Sequence, residues 1–438
     1  MSKHRIVVSP GGSLAGRMRV PGDKSISHRA IMMGAIAEGQ TRVEGFLEGA
    51  DCLATRDAFV AMGVKINQPE AGTLEIAGVG MDGLQAATGT IDLGNSGTSM
   101  RLLAGLLAGQ RFDSELTGDD SLMRRPMLRV VEPLRAMGAR IDCTGGGTAP
   151  LHIHGDTRLQ GMEYDMPVAS AQVKSCILLA GLYATGQTTV IEPGPSRDHT
   201  ERMLRAFGCE VRVDGKRVSV DGGSRLSGGE VKIPGDLSSA AFALVGASLV
   251  PGSELLIEGV GINPSRAGIL DILRRMGADI TEHNRRDYGD EPVADLRVRA
   301  ADLQGVDIPP ELVPLAIDEF PAILVAAACA DGQTRLRGAA ELRVKESDRI
   351  AVMAEGLTRL GIDAQATQDG MLIQGGRLRG GEVMSHGDHR IAMAFAMAAM
   401  VAEAPVTIHD CANVATSFPG FVPLMQAHGA RMQEVIES

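Results

Sequence analysis

The stretch "LRAMGARI", Leu134–Ile141, decides the fold, because similar stretches recur along the whole chain. In it an apolar helix end runs into Gly138 and then into residues typical of a strand. A glycine suits the position after a helix end, where φ is positive, and β-branched residues such as Ile141 favour strands. The other five copies are "FVAMGVKI" at Gly63, "LRAFGCEV" at Gly208, "LRRMGADI" at Gly277, "LTRLGIDA" at Gly361 and "MQAHGARM" at Gly429.

A second signature alternates with the first, in which small-residue apolar helices lead into short strands. It occurs as "GQTRVEG", "RFDSELTG", "GQTTVIEPG", "GSELLIEGV", "GQTRLRG" and "APVTIHD". Each unit is therefore predicted to contain a helix, a strand, a loop, a second helix, a glycine and further strands. A unit of about 70 residues is longer than a solenoid repeat of about 20–50 residues. Grouping the six units three plus three predicts two similar α/β domains, each large enough for its own core.

Composition excludes several classes of protein. The 438 residues carry a formal charge of −11 and are 44% hydrophobic, and they include no Trp and three Tyr, which argues against a general nucleic-acid binder. No apolar run reaches the roughly 18 residues of a membrane span, and the N-terminal sequence lacks a signal-peptide pattern. The six scattered cysteines have no zinc-ligand spacing and are typical of a reduced protein. We therefore expect a cytoplasmic protein with no metal and no membrane segment.

The first helix of each unit begins in polar sequence. These starts are "DKSISHR", "GNSGTSMR", "ASAQVK", "GDLSSAA", "IDEFPA" and "HGDHRIA". Their Ser, Thr, Asp and Asn residues are typical N-caps, and for "GDLSSAA" capping alone explains the pattern as well as a binding site does. Cations also occur in the first turns, where the helix dipole disfavours them. Bound anions would explain both features. These cations are Lys24, Arg29, Arg101, Lys174 and Arg390.

The second helices add more charge, in "SLMRRPM", "PSRDHTER" and "RVKESDR". In the last of these, Lys345 and Arg349 are four residues apart and share a helix face, with Glu346 adjacent. The same pattern is also typical of a surface helix with salt bridges. Both interpretations stay open on the residues alone.

Taken together, these motifs resemble the 5-enolpyruvylshikimate-3-phosphate synthase family along the whole chain. The resemblance is carried by "PGDKSISHRA", "GNSGTSMRLLAG", "RRPM", "ASAQVKSCILLAG", "SRDHTERM", "IDEFP", "LRVKESDRI" and "HGDHRIAMA". It implies transfer of the enolpyruvyl group of phosphoenolpyruvate to the 5-hydroxyl of shikimate 3-phosphate, with release of phosphate. It also implies two domains of three βαβαββ units each, similar to an inverse αβ barrel, with the active site in the cleft between them. One domain would be 20–234, and the other would be 1–19 with 235–438.

The resemblance also implies roles for individual residues. Lys24 would contact both substrates, Asp318 would accept a proton and Glu346 would take part in proton transfer. The residues implied for shikimate 3-phosphate are Lys24, Ser25, Arg29, Ser170, Ala171, Gln172, Arg197, Asp318 and Lys345. The residues implied for phosphoenolpyruvate are Lys24, Gly97, Arg125, Gln172, Arg349 and Arg390.

Enolpyruvyl transfer requires such a set of residues. Arginines hold phosphate and carboxylate groups in a fixed orientation. Two carboxylates and a lysine can divide the proton transfers if their surroundings set their pKa values apart. The reaction requires no metal and no organic cofactor. We expect a monomer whose partners are the two small substrates.

Three positions depart from the family pattern. Thr416 stands where many relatives have a lysine before a "TFP"-like turn, and Glu341 stands where some have an asparagine. "SAQVKSCILLAG" and "RDHTERM" resemble a branch with naturally glyphosate-tolerant members, which have alanine at the place of Gly97. Glycine at that position predicts inhibition by glyphosate in competition with phosphoenolpyruvate.

Two other functions fit a duplicated α/β chain. One is enolpyruvyl transfer to UDP-N-acetylglucosamine, but enzymes of that type carry a "KN" motif and a loop cysteine, whereas Ser25 follows the lysine here. The other is a binding scaffold without catalysis, since a fold alone does not determine function. A scaffold would have no need of Asp318, Lys345 and Glu346 beside a group of arginines.

Overall fold

The structure, a computed structural model, describes residues 4–436, which separate into two compact units. The continuous unit comprises 22–233 together with the short segment 288–291. The discontinuous unit comprises 4–21, 234–287 and 292–436. The chain passes between units beside residues 21 and 233, next to the boundaries 20 and 234 expected from the sequence. No feature of the sequence indicated the assignment of 288–291.

Twelve α-helices occur within the described residues. They are α1 Lys24–Ile36, α2 Ala50–Ala61, α3 Gly97–Leu107, α4 Leu128–Ala136, α5 Ala171–Gly181, α6 His199–Ala206, α7 Leu237–Leu249, α8 Gly268–Arg275, α9 Phe320–Cys329, α10 Arg349–Arg359, α11 His389–Ala399 and α12 Phe421–Ala427. The odd-numbered helices are almost wholly buried, because small and apolar residues cover every face of them. The even-numbered helices bury one face only. Within residues 4–436, no helix has the length and apolar character that crossing a membrane requires.

The strands of the described residues are short. They are β1 His4–Val8, β2 Ala15–Met18, β3 Glu38–Glu44, β4 Lys65–Glu70, β5 Thr73–Val79, β6 Ile91–Asp92, β7 Ser114–Thr117, β8 Arg140–Asp142, β9 Leu151–His154, β10 Glu163–Asp165, β11 Gln187–Ile191, β12 Val211–Asp214, β13 Arg217–Asp221, β14 Glu230–Lys232, β15 Glu254–Gly261, β16 Asp279–Tyr288, β17 Glu291–Arg299, β18 Gln333–Leu336, β19 Asp363–Ala366, β20 Met371–Gln374, β21 Gly381–Met384, β22 Val406–His409 and β23 Met432–Ile436.

One sheet order recurs throughout the described chain. The continuous unit contains sheets β14-β3-β5-β4, β6-β7-β9-β8 and β10-β11-β13-β12, and the discontinuous unit contains β2-β15-β17-β16, β18-β20-β19 and β21-β22-β1-β23. In five of these sheets the first pair of strands is parallel, as in β14 with β3 and β21 with β22. In the three-stranded sheet, parallel bridges from Gln304 and Asp307 take the place of the edge strand. The predicted α/β fold of repeated units is confirmed.

The glycines that revealed the repeat have the backbone that the sequence predicts. All six lie at positive φ, between 84° and 111°, directly after the even-numbered helices. A side chain with a Cβ is strained in this region, so glycine ends each of these helices at little cost. They are Gly63, Gly138, Gly208, Gly277, Gly361 and Gly429.

Each unit has its own hydrophobic core, built around its three odd-numbered helices. In the continuous unit, α1, α3 and α5 are buried between the sheets, and in the discontinuous unit α7, α9 and α11 are. Cys52, Cys176, Cys209 and Cys411 are buried, as expected for small core residues. Because the middle of each odd-numbered helix is packed in the core, the polar residues that could bind a ligand lie at the helix starts.

Candidate functional site

Lys24 begins α1 next to an acid that balances its charge. Asp23 caps the helix, since its Oδ1 accepts from the backbone N–H of Ile26 at 2.9 Å. The Lys24 ammonium forms an ion pair with Asp51, in the first turn of α2. The helix dipole favours the acid Asp51 at the start of α2 and disfavours the cation Lys24 at the start of α1. The ion pair therefore offsets the unfavourable position of Lys24.

Arg29 is buried, and it ties three helices together. Its Nε donates to Thr200 Oγ1 at 2.7 Å, its Nη1 to the carbonyl of Ser25 at 2.9 Å and its Nη2 to Ser175 Oγ at 2.8 Å. Burial lowers the pKa of Arg29 to about 10, so the side chain is still a cation at neutral pH. Besides any contact with substrate, Arg29 therefore fixes the starts of α5 and α6 relative to α1.

The start of α5 holds Gln172 in one orientation. Ser170 caps the helix by accepting from the N–H of Val173, and Ala171 is the first helical residue. Arg101 Nη1 donates to Gln172 Oε1 at 2.6 Å, while Gln172 Nε2 donates to Thr98 Oγ1 at 3.0 Å. The α3 side chains therefore determine which end of the amide is the donor.

Arg125 and Gly97 form a tightly packed corner. The Nη2 of Arg125 donates to Asn95 Oδ1 at 2.7 Å, and its Nη1 donates to the carbonyl of Asn95 at 3.3 Å. Gly97 is the first residue of α3, and a Cβ placed on it would lie 3.1 Å from an Nη1 atom of both Arg101 and Arg125. A Cβ at this position would therefore be crowded by the two guanidinium groups, whereas the backbone itself, which has no positive φ, would accept it.

Lys174 departs from the sequence-based expectation. It was expected to be one of the anion-binding cations, yet its side chain is only 1% exposed. Its Nζ lies 2.9 Å from Glu192 Oε2 and 2.6 Å from Glu201 Oε1, and both carboxylates are buried. The prediction for Lys174 is wrong, because internal carboxylates already balance its charge. Being the fourth residue of α5, it faces the core and not the open end of the helix.

In the discontinuous unit, a second group of charges surrounds Asp318. The Nζ of Lys345 lies 3.3 Å from Asp318 Oδ1, and the Nη1 of Arg349 lies 3.6 Å from the same oxygen. The Nη1 of Arg390 donates to the backbone carbonyl of Asp318 at 2.9 Å. Four of the residues implied by the family pattern therefore lie together.

Arg349 is held by two carboxylates, one of which the sequence-based site did not include. Its Nε donates to Asp388 Oδ2 at 2.8 Å, and its Nη2 donates to Glu346 Oε2 at 2.5 Å. Desolvation by burial lowers the pKa of Arg349, but the carboxylates of Asp388 and Glu346 outweigh it, and the pKa is raised. Asp388 also caps α11, because its Oδ1 accepts from the N–H of Arg390 at 3.0 Å. The aspartate of "HGDHR" was visible as a cap, but its bond to Arg349 was not.

A buried group of charged side chains next to Arg390 was also not identified from the sequence. Glu319 lies 3.6 Å from Arg390 and 3.7 Å from Arg266, and it accepts from the hydroxyl of Ser238. Arg266 in turn donates to Asp236 Oδ1 at 2.9 Å. Asp236 caps α7, because its Oδ1 accepts from the N–H of Ser238 at 2.8 Å, so the cap expected in "GDLSSAA" is present. No local pattern around Arg266 would have revealed this cluster.

Two of the positions that depart from the family pattern, Thr416 and Glu341, lie in short 3-10 helical turns. Thr416 Oγ1 donates to the carbonyl of Asn413 at 2.7 Å, and Asn413 Nδ2 donates to the carbonyl of Gly387 at 2.7 Å. Thr416 therefore ends a turn that is bonded next to the start of α11. Glu341 is half-buried in the turn Ala340–Val344.

Arg197 lies, half-buried, in the segment 193–198 between β11 and α6. This segment has no helix or strand of its own. Within residues 4–436, no group of three or more His, Cys, Asp or Glu side chains could hold a metal ion.

Cations at the starts of buried helices, as in this duplicated α/β fold, are typical of proteins that bind small anions. The family model of EPSP synthase (3-phosphoshikimate 1-carboxyvinyltransferase) matches residues 8–425. The chain belongs to the EPSP synthase family.

Individual relatives agree over nearly the whole length. The 3-phosphoshikimate 1-carboxyvinyltransferase of Alkalilimnicola ehrlichii is 66% identical over 418 residues, which are 95% of this chain and 94% of the relative. That of Methylococcus capsulatus is 63% identical over 420 residues, 96% of each chain. The structure of EPSP synthase from Acinetobacter baumannii is similar with a TM-score of 0.89 and 54% identity, covering 98% of this chain and 99% of that one. The resemblance stated from the motifs is confirmed.

Proposed function

We propose that this protein transfers the enolpyruvyl group of phosphoenolpyruvate to the 5-hydroxyl of shikimate 3-phosphate and releases phosphate. The observation that carries the proposal is the arrangement around Asp318, whose carboxylate lies beside Lys345 and Arg349. A carboxylate can transfer a proton, and the cations beside it can bind anionic substrates. Both roles agree with the family to which the chain belongs. The reaction belongs to the biosynthesis of aromatic amino acids.

The helix starts of the continuous unit support binding of shikimate 3-phosphate. Ser170, Ala171 and Gln172 offer a capping hydroxyl, backbone N–H groups and an oriented amide at the start of α5. A helix N-terminus favours phosphate and carboxylate groups. We assign Lys24, Ser25, Arg29, Arg197, Asp318 and Lys345 to the same substrate.

Arginines held by neighbouring acceptors suit phosphoenolpyruvate, which carries a phosphate and a carboxylate. Asn95 orients Arg125, and Asp388 orients Arg349. A guanidinium that is already fixed loses less conformational freedom when it binds an anion. We assign Lys24, Gly97, Arg125, Gln172, Arg349 and Arg390 to phosphoenolpyruvate.

The proton movements can be written so that they balance. In the addition step an acid protonates C3 of phosphoenolpyruvate and the 5-hydroxyl oxygen bonds to C2, so the C2=C3 double bond becomes a single bond, while a base takes the hydroxyl proton. In the elimination step C3 loses a proton to a base, the C2=C3 double bond forms again and the bond from C2 to the phosphate oxygen breaks, which releases phosphate. We propose Asp318 as the acceptor of the hydroxyl proton, and Glu346 and Lys24 as the groups that exchange the proton at C3.

The test is release of inorganic phosphate from phosphoenolpyruvate with either of two acceptors. We expect release with shikimate 3-phosphate and none with UDP-N-acetylglucosamine or with phosphoenolpyruvate alone. Release only with the sugar nucleotide would assign the chain to the other enolpyruvyl transfer. No release with either acceptor would favour a binding scaffold.

We also propose that the protein acts as a monomer in the cytoplasm and that glyphosate inhibits it. Light scattering coupled to size-exclusion chromatography would check the oligomeric state. A mass near twice 45.9 kDa would contradict the monomer.

A further inference from the structure

A buried ion cluster holds both ends of the segment that carries Arg197. The Nζ of Lys174, on α5, lies 2.9 Å from Glu192 Oε2 and 2.6 Å from Glu201 Oε1. Glu192 immediately precedes the segment 193–198, and Glu201 lies in the first turn of α6, which follows it. One ammonium group therefore binds both ends of this segment to one helix.

The cluster is almost completely buried, which restricts the positions that its carboxylates can take. The side chain of Lys174 is 1% exposed, that of Glu201 3% and that of Glu192 11%. Desolvation raises the pKa of Glu201, and the charge of Lys174 opposes this shift. A buried charge is tolerated only when it is paired, so both carboxylates are confined to positions near the ammonium group.

Further hydrogen bonds restrain the residues next to Arg197 and the start of α6. The hydroxyl of Ser196, the residue before Arg197, donates to the carboxylate of Glu192. On the other side, Thr200 is bonded to Ser175 Oγ at 2.6 Å and accepts from Arg29 Nε at 2.7 Å. The residues on either side of Arg197 are thus attached to α1 and α5, whose starts are the proposed site for shikimate 3-phosphate.

We propose that Lys174 is a positioning residue that holds the segment 193–198 against α5 and so sets the affinity for the phosphate group of shikimate 3-phosphate. The proposal rests on the proposed function, in which Arg197 contacts that phosphate. Lys174 itself touches no substrate. We expect its effect to be greatest on binding of the phosphate, because the ion cluster holds both ends of the segment that carries Arg197.

The main test replaces the whole cluster by neutral groups of similar size, as Lys174→Met with Glu192→Gln and Glu201→Gln. Replacing a buried ion group completely is far less harmful than breaking it by removing one partner. We expect binding of shikimate 3-phosphate, measured by calorimetry, to weaken at least about tenfold, the scale of one charge-assisted contact. Binding of shikimate, which lacks the phosphate, should change less than about twofold, and KM for phosphoenolpyruvate less than about threefold.

A milder variant and a control accompany this test. Glu192→Gln alone keeps the pair of Lys174 with Glu201 and releases only the first end of the segment, so we expect a smaller loss in the same direction. This variant decides the question if the triple variant does not fold. Arg212→Gln removes an exposed ion pair with Asp221 in the same sheet, and should leave the affinity unchanged.

A double-mutant cycle shows whether Lys174 acts through Arg197. Arg197→Ala alone should weaken shikimate 3-phosphate at least about tenfold, and adding the triple replacement should then change the affinity less than about twofold. Multiplicative losses, or unchanged affinity in the folded triple variant, would overturn the role of Lys174. If the wild-type enzyme releases no phosphate from its two substrates, the proposed function fails instead.

Discussion

At the scale of single residues, Gly97 shows how little space surrounds the proposed phosphoenolpyruvate contacts. An added Cβ would lie 3.1 Å from the guanidinium nitrogens of Arg101 and Arg125, closer than ordinary van der Waals contact. Both guanidinium groups would have to move by a few tenths of an ångström. Of these two, Arg125 is the proposed ligand of phosphoenolpyruvate, and Arg101 holds Gln172.

We predict that wild type is inhibited by glyphosate in competition with phosphoenolpyruvate, and that Gly97→Ala raises the inhibition constant at least about tenfold. KM for phosphoenolpyruvate should rise less, because glyphosate is the longer molecule and the displaced guanidinium groups would therefore weaken its binding more. Steady-state inhibition kinetics measure both constants. Gly89→Ala is the control, since its Cβ would meet no atom within 4 Å. Tolerance of the glycine form would show that another residue limits the space.

Asp318 gives a second prediction at this scale. It lies one residue before Glu319, the N-cap of α9, and its carboxylate faces Lys345 and Arg349. We expect Asp318→Asn to lower kcat at least about 100-fold if the carboxylate is a general base, with binding of shikimate 3-phosphate largely retained. Near-normal turnover with a lower melting temperature would show that Asp318 is structural.

At the scale of helices and strands, one carboxylate can serve two helix starts. Asp388 is fully buried, and it caps α11 while it binds Arg349, the first residue of α10. Removing one partner from a buried ion pair is destabilising, because the remaining charge stays buried. Asp348 caps α10 through the N–H of Ala351, but its side chain is 36% exposed.

We predict that Asp388→Ala lowers the free energy of unfolding by about 3–5 kcal/mol. Asp348→Ala, which removes a solvated cap of the adjacent helix, should cost only about 1 kcal/mol. Urea unfolding followed by circular dichroism measures both. Equal losses in the two variants would mean that the cap, and not the ion pair, is the important part of Asp388.

His28 connects three helices of the continuous unit. Its Nδ1 lies 2.8 Å from Thr55 Oγ1 on α2 and 3.3 Å from Ser99 Oγ on α3. Desolvation by burial, with the nearby charges of Lys24 and Arg29, holds the pKa of His28 well below 6.5. As pH falls below 6.5, the unfolded chain takes up a proton that the folded chain does not, so stability falls.

We therefore predict that wild type loses up to about 1.4 kcal/mol of stability per pH unit through His28 as the pH is lowered below 6.5. His28→Gln should be less stable at neutral pH but lose stability less steeply on acidification. Urea titrations at several pH values give the slope. His152→Gln, at a side chain that is 50% exposed, should keep the wild-type slope. The same slope in His28→Gln would show that other groups cause the acid sensitivity.

At the scale of the whole molecule, the chain is acidic, yet the proposed substrates are anions. The net charge of −11 is spread over 438 residues, whereas cations such as Lys24, Arg349 and Arg390 are concentrated at helix starts. The Debye length is about 10 Å at 0.1 M salt, so nearby charges decide binding more than distant ones.

We predict that KM for shikimate 3-phosphate rises several-fold between about 10 and 200 mM ionic strength, because salt screens the local attraction. If repulsion by the net charge dominated, KM would fall instead. The measurement is a series of steady-state assays. Repeating it with two salts that differ in their anion separates screening from competition by one ion.

The sequence by itself determined the repeat and the polar helix starts. Gly138 and its five counterparts end helices, and Asp23, Ser170 and Asp236 begin them, because both effects act within a few residues of the backbone. The family motifs added a set of residues, several of which the structure places together around Asp318 and around the start of α5.

Only the tertiary structure decided what each charge does. Lys24 and Lys174 occur in similar helix starts, yet Lys24 pairs with Asp51 at the start of α2 and Lys174 is enclosed by Glu192 and Glu201. The partners that matter are distant in sequence, as Asp388 is from Arg349. Local propensity extends over a turn or two, whereas the energy of a buried charge depends on which groups the fold brings within about 3–4 Å.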